Sequence, residues 1–213
     1  MQKRRSKLKV RVIALIGPPG SGKGTTKKYV IQPYCEKHGI PLVIIPMSEE
    51  ISLYLDENAD IAPSVRQDMA EGRLVADKIV IEVLRRALKR IKKLPNAIYV
   101  LDGMPRTMGQ FTTCFYEVLE AFDIKPHEYL FANLKTPAWL WGFRAANRKE
   151  DRADDGNEEV FITRCGEFEH KTVPTINHIQ QNAERVGYGY LELNGQFIRS
   201  QPQLATDQIF GHQ

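Results

Sequence analysis

The sequence predicts an α/β fold, a mainly parallel sheet flanked by helices, on three observations. Apolar runs and amphipathic stretches alternate along the chain. A glycine-rich stretch, GPPGSGKGTT at 17–26, follows directly on the apolar run VRVIALI. Hydrophobic residues make up 42% of the 213 residues, enough for a substantial core. That length admits one α/β domain with insertions or two small domains.

Five segments read as strands: 10–16, 41–45, 97–101, 128–133 and 188–193. Helices are expected to start from Gly22, Asp77, Thr107, Pro137 and Asn157, with a short final one near Leu204. Two segments interrupt the alternation. From about 47 to 76 the chain is acidic, with weak helical spacing, and reads as a small inserted helical subdomain. The stretch RKEDRADDGNEE, 148–159, is almost wholly charged and too polar for a core, so it reads as an exposed loop or lid. In one doubly wound domain, ligands sit at the carboxyl ends of the strands.

Composition narrows the function classes. No apolar run reaches the roughly 18 residues that would span a bilayer, and the basic start MQKRRSKLKV lacks the apolar stretch of a signal peptide. That start reads as a solvated tail, with nucleic-acid contact as the weaker alternative. A net charge of +4 suits an anionic substrate without implying nucleic-acid binding. Cys35, Cys114 and Cys165 are far apart, odd in number and without metal-ligand spacing. Reduced thiols and a cytoplasmic location are expected.

Gly17, Gly22 and Lys23 satisfy G-x-x-x-x-G-K, the phosphate loop of a nucleotide-binding site. Glycines let backbone N–H groups curl around phosphate oxygens, and the following helix points its positive end at the anion. Lys23 adds a mobile positive charge near the β- and γ-phosphates. The position after Lys23 is Gly24, and a hydroxyl comes one later, at Thr25. A turn without ligand is the alternative, and the strand-loop-helix context argues against it.

The run AIYVLDGMPRTMGQ ends an apolar strand on Asp102, followed by Gly103. A carboxylate there can hold Mg²⁺ through water beside the phosphate loop. It could instead cap the next helix, but Thr107 can serve as that cap, which leaves Asp102 for the metal. Arg106 stands where a guanidinium could clamp a second anion. Arg144, Arg148, Arg152 and Arg164 flank the charged loop, the first two four apart on one helical face. Arginine forks suit phosphate oxygens, so the set favours phosphoryl transfer, which works by positioning and charge neutralisation.

GPPGSGKGT, LDGMPRTMGQ and R-x₃-R-x₃-R-x-DD…R, in this order and spacing, resemble the adenylate kinase family of nucleoside monophosphate kinases, over roughly 10–193. The resemblance implies a P-loop NTPase-type three-layer fold with a five-stranded parallel sheet. One domain is implied over 1–213: a core of 9–46, 77–148 and 160–213, an acceptor-binding subdomain at 47–76 and a short lid at 149–159. The implied reaction is reversible, Mg²⁺-dependent transfer of the ATP γ-phosphoryl group to a nucleoside monophosphate, by a monomer with no membrane or nucleic-acid partner.

By the same resemblance, Gly17, Pro19, Gly20, Ser21, Gly22, Lys23, Gly24 and Thr25 would bind the donor, with Thr25 a possible metal ligand. Arg144 would stack on the donor adenine. Arg106 would hold the acceptor phosphate, Gln110 its base, and Ser48 and Gly103 would line its site. Arg148, Arg152 and Arg164 would neutralise the transferring group, the last two also meeting the acceptor. Asp154 and Asp155 would position the lid, which carries one extra residue, Gly156, and no zinc-type cysteines.

The family pattern fails in one place. The acceptor segment reads SEEISL, with Leu53 where an arginine is expected to grip the acceptor phosphate. One lost charge-assisted contact costs roughly 1.5–3 kcal/mol, or about one to two decades in binding. Arg66 or Arg73 could reach the phosphate instead, the acceptor could differ, or turnover could be lost. The arginine set around the transferring group favours the first two, and EGRLVADKIV keeps the family's G-x-L-V-x-D. Ser48 and Thr107 favour AMP over UMP or CMP. The rivals are a kinase for another acceptor (UMP/CMP, a deoxynucleotide or a small metabolite) and a non-catalytic nucleotide-binding relative. A nucleic-acid-associated ATPase is the weakest of them.

Overall fold

The computed structural model describes residues 10–146 and 157–211. Strands β1 (Val12–Ile16), β2 (Leu42–Pro46), β3 (Ile98–Asp102), β4 (Tyr129–Lys135) and β5 (Gly189–Asn194) pair throughout in parallel. They form one five-stranded sheet in the order β2-β3-β1-β4-β5. β1 and most of β3 and β4 read as apolar runs because both faces of the sheet are covered. All five residues of β1 are buried, and so is every residue of β4 except Lys135.

Alternate residues of each central strand feed two separate cores. Val12, Ala14, Ile16, Tyr99, Leu101, Tyr129 and Phe131 belong to one; Ile13, Leu15, Ile98, Val100, Leu130 and Leu134 belong to the other. The second core is closed by a helical run and by α10 (Pro202–Phe210), through Val30, Ile31, Cys35, Ala205 and Ile209. That helical run is α1 (Lys23–Thr26), a π turn (Lys27–Ile31) and α2 (Gln32–His38), which ends on left-handed Gly39. The first core is closed by α3 (Met47–Glu57), α4 (Ala62–Ala70), α5 (Asp77–Arg90), α6 (Met108–Phe122) and α9 (Val173–Val186). Helix, sheet and helix therefore make three layers.

Aromatic rings give the first core much of its cohesion. Phe131 is fully buried, 4.6 Å from Tyr129 and 4.9 Å from Tyr188 between ring centres. Truncating such a ring to alanine costs about 3–5 kcal/mol. Tyr99 stacks on Phe122 and places its hydroxyl on Leu94, where it accepts from the N–H at 2.8 Å.

Helices α7 (Ala138–Ala146) and α8 (Glu158–Glu167) lie on either side of the expected lid. Asn157 caps α8, its Oδ1 accepting from the N–H groups of Glu159 and Val160. A second π turn, Phe168–Thr172, joins α8 to α9. Each expected strand and helix start lies within two residues of the observed one. The expected helical insert does contain α3 and α4. Their apolar residues Met47, Ile51, Leu55, Ala62 and Val65 pack into the same core as the sheet. Arg148, Arg152, Asp154 and Asp155 lie outside the described residues.

Candidate active site

From β1 the chain crosses to β2 and returns through β3. It then reaches β4 on the opposite side of β1. Strand order thus reverses at β1, and a crevice opens at the carboxyl ends there. The glycine loop leaves β1 at this point. Leu15 is in register with Asp102, and the N–H of Gly103 donates to the carbonyl of Leu15. The loops after β1 and β3 therefore start side by side.

The glycine loop is held from several directions. Ser21 is fully buried, and its carbonyl accepts from the Thr136 hydroxyl just after β4. Gly20 has φ 73°, and a Cβ there would lie 2.8 Å from the carbonyl oxygen of Trp141 on α7. Only glycine fits both constraints. Trp141 is fixed in turn by its indole N–H, which donates to the Thr136 carbonyl at 2.6 Å. Gly22, with φ 100°, is the N-cap of α1.

Lys23 folds back over the loop. Its Nζ donates to the carbonyls of Gly17 at 2.8 Å and Pro18 at 3.0 Å. Phosphate oxygens placed in the loop would offer the same ammonium stronger, charged acceptors.

Arg144 reaches from α7 across the loop. It donates to the carbonyls of Gly20 at 3.2 Å, Gly195 at 2.9 Å and Gln196 at 3.2 Å. Burial pulls its guanidinium pKa below the ordinary arginine value. Three carbonyls orient the planar group at the edge of the phosphate loop, between it and the turn after β5.

Beyond β3 the chain makes a compact polar knot. Arg106 is exposed and its Nε donates to the Gly103 carbonyl at 2.7 Å. Thr107 caps α6 as expected, its hydroxyl accepting from the Gln110 N–H at 3.2 Å. That hydroxyl lies 2.8 Å from both oxygens of Asp77, to which it donates. Gln110 is buried, and its amide is used at both ends. Oε1 accepts from the Arg106 N–H, while Nε2 donates to Asp77. Gly109 is squeezed against the same carboxylate, with no room for a side chain. Asp77, the first residue of α5, is thus the hub of this knot, a role its place in the sequence did not disclose. Gln110 would have to exchange these partners to read a base.

Asp102 ends β3 at 19% side-chain exposure and pairs with Lys27, so it is not left unengaged as the sequence suggested. Lys27 also escaped the sequence reading, although it lies four residues beyond Lys23. A hydrated divalent ion still fits this end of the site. A carboxylate offers about four lone-pair positions, so one ammonium does not exhaust it. The half-buried Thr25 hydroxyl has no hydrogen-bond partner among the described residues. Among those residues no group of three or more His, Cys, Asp or Glu could hold a metal by itself, so phosphate oxygens and water would supply most of the ligands.

On the acceptor side Ser48 is exposed and Leu53 is 52% exposed on α3. The arginines of this segment are bound to carboxylates: Arg66 to Asp56 at 2.5 Å, and Arg73 to Asp68 at 2.8 Å and to Glu71. Arg164 lies on α8 with its stem against Gly72. Nearby, Glu167 accepts from the Leu74 N–H at 3.1 Å.

The parallel sheet and the glycine loop at its switch point define an α/β protein of the P-loop NTPase type. No family model matches the chain. An adenylate kinase of Ureaplasma urealyticum is 26% identical over 193 residues, covering 80% of this chain and 86% of that protein. An adenylate kinase of Caulobacter vibrioides is 27% identical over 168 residues, 79% and 83% of the two chains. The mitochondrial GTP:AMP phosphotransferase of Drosophila melanogaster is 36% identical over 96 residues, 45% of this chain and 40% of that one. Together these relatives support assignment of the chain to the adenylate kinase family. No helix among the described residues is long and apolar enough to cross a membrane.

Proposed function

We propose that this chain is a nucleoside monophosphate kinase that transfers the γ-phosphoryl group of ATP to AMP, giving two ADP. The observation that carries this reading is the adjacency of two anion-binding loops. Lys23 follows β1, Arg106 follows β3, and the two strands end side by side at the switch point. A donor on the first loop and an acceptor on the second would meet end to end, as phosphoryl transfer requires.

In this reading Lys23 exchanges the carbonyls of Gly17 and Pro18 for donor phosphate oxygens. Arg144, freed from its three carbonyls, stacks on the donor base. Arg106 grips the acceptor phosphate, and Gln110 turns from Asp77 toward the acceptor base. Asp102, through water, and Thr25 would hold a Mg²⁺ ion beside the donor phosphates, and the ion would supply positive charge that offsets the charge of the transferring group. Arg148, Arg152 and Arg164 add positive charge around that group, and closure of the 149–159 lid excludes water. The enzyme works as a cytoplasmic monomer.

A coupled ADP-release assay with AMP, UMP, CMP and dAMP tests this reading. AMP is expected to give the highest kcat/KM, and AMP inert beside an active second acceptor would overturn the assignment. That second reading, a kinase for another acceptor, is favoured by one observation: exposed Leu53, with Arg66 and Arg73 both committed to carboxylates.

A further inference from the structure

The pair between Lys27 and Asp102 is unlike the other ion pairs of the molecule. Both side chains are about four-fifths buried, at 21% and 19% exposure. In every other pair recorded among the described residues at least one partner is more than 40% exposed. Exposed pairs contribute little and are screened by salt, whereas a pair withdrawn from water keeps its geometry and its field.

Its placement is also particular. Lys27 lies one turn beyond Lys23 and is the first residue of the π turn Lys27–Ile31. The N–H of Gln32 reaches back five residues to the Lys27 carbonyl, so the ordinary helical ladder is interrupted there. Such single-turn irregularities are frequent at functional sites. Asp102 ends β3 beside the glycine loop, and in the proposed reading it would hold a hydrated metal ion there.

Charge decides what this arrangement does. A lone carboxylate presents one negative charge to a divalent ion; with an ammonium held against it, the pair presents none. A divalent ion arriving there must share Asp102 with Lys27 or displace it, and it meets repulsion from a positive charge a few ångströms away. Lysine suits this role because its compact charge rides on a flexible stem and can swing aside. We propose that Lys27 is a positioning residue of the metal site. It holds the Asp102 carboxylate in place when the metal is absent and competes with the divalent ion for it, raising the metal concentration that the nucleotide complex requires. This inference rests on the reading of the site as one for a metal–nucleotide donor.

The test is a Mn²⁺ titration, followed by electron paramagnetic resonance, of the full chain saturated with the β,γ-imido analogue of ATP. Wild type is compared with Lys27→Met, Lys27→Gln and Lys27→Arg. Removing one unit charge a few ångströms from a divalent ion is expected to tighten Mn²⁺ binding about tenfold in the Met and Gln variants. The Arg variant, which keeps the charge, should stay within about twofold of wild type. Lys27→Gln still donates to the carboxylate, so it decides the matter if Lys27→Met fails to fold. Mn²⁺ affinity unchanged or weakened in the neutral variants, with the nucleotide still bound, would overturn the role of Lys27 and leave the kinase reading standing. Failure of every protein to bind the nucleotide analogue would overturn both.

Discussion

The glycine loop and the α3–α4 segment flank the same end of the sheet and are held in opposite ways. The loop takes its support from distant parts of the chain: Thr136, Trp141, Arg144 and Gly195 all meet it. Its carbonyls are spoken for by Lys23 and Arg144, groups a phosphate ligand can recruit or move. Along α3 and α4 the polar groups satisfy one another at the surface. Arg66 meets Asp56, Arg73 meets Asp68, and Arg90 meets Glu50. The glycine loop is thus held by cations from elsewhere in the chain, while in the α3–α4 segment Glu49, Glu50, Asp56, Glu57, Asp60, Asp68 and Glu71 outnumber Arg66 and Arg73 and leave an excess of negative charge. On the proposed reading, affinity for the donor is built into the loop's backbone, and affinity for the acceptor has to be won from these carboxylates.

Substitutions can break or sharpen this contrast. The largest effect is expected from Lys23→Met, which should lower kcat by about 10²–10³-fold while far-UV circular dichroism stays unchanged. Wild-type turnover in that variant would remove the donor loop from the reaction. Next comes Leu53→Arg, which adds the missing guanidinium on the acceptor side. KM for AMP should fall by about one to two decades, the worth of one charge-assisted contact. A constant KM would mean that another residue already fills the role.

Asp77→Ala attacks the joint between the start of α5, just beyond the α3–α4 segment, and the start of α6. It leaves the Thr107 hydroxyl and the Gln110 amide without their acceptor, at a cost of about 2 kcal/mol. For a chain of this size that lowers Tm by roughly 4–8 °C in a calorimetric scan. The smallest effect is assigned to Arg73→Ala. Exposed pairs are worth less than about 1 kcal/mol, so Tm should hardly move and KM for AMP should stay within about twofold. A tenfold rise in KM would instead identify Arg73 as the substitute phosphate grip.

Much of this architecture was legible in the sequence, for a physical reason. β1, β3 and β4 are buried on both faces, so they are written as largely apolar runs. The glycine loop must follow one of those runs to reach the switch point. The cap at Thr107 was legible too, since its hydroxyl serves a backbone N–H three residues on. Polar contacts between distant segments have no such local signature. Nothing in the spacing pairs Lys27 with Asp102, 75 residues away, or gathers Thr107 and Gln110 around Asp77. The acidic character of 47–76 pointed to an insert, and it concealed the Met47, Ile51 and Leu55 stripe that anchors α3 to the main core.

The bracing of the glycine loop by Gly195 bears on the order in which the protein is made. A Cβ at Gly195 would collide with the carbonyl of Ser21, so these two backbones touch across most of the chain's length. Residues 17–24 leave the ribosome well before the turn after β5 that seats Ser21 and anchors Arg144. A nascent chain that stops before residue 195 carries the whole glycine motif and still lacks one wall of its seat. On the proposed reading, nucleotide capture therefore waits until β5 has joined the sheet and the turn after it has closed on the loop.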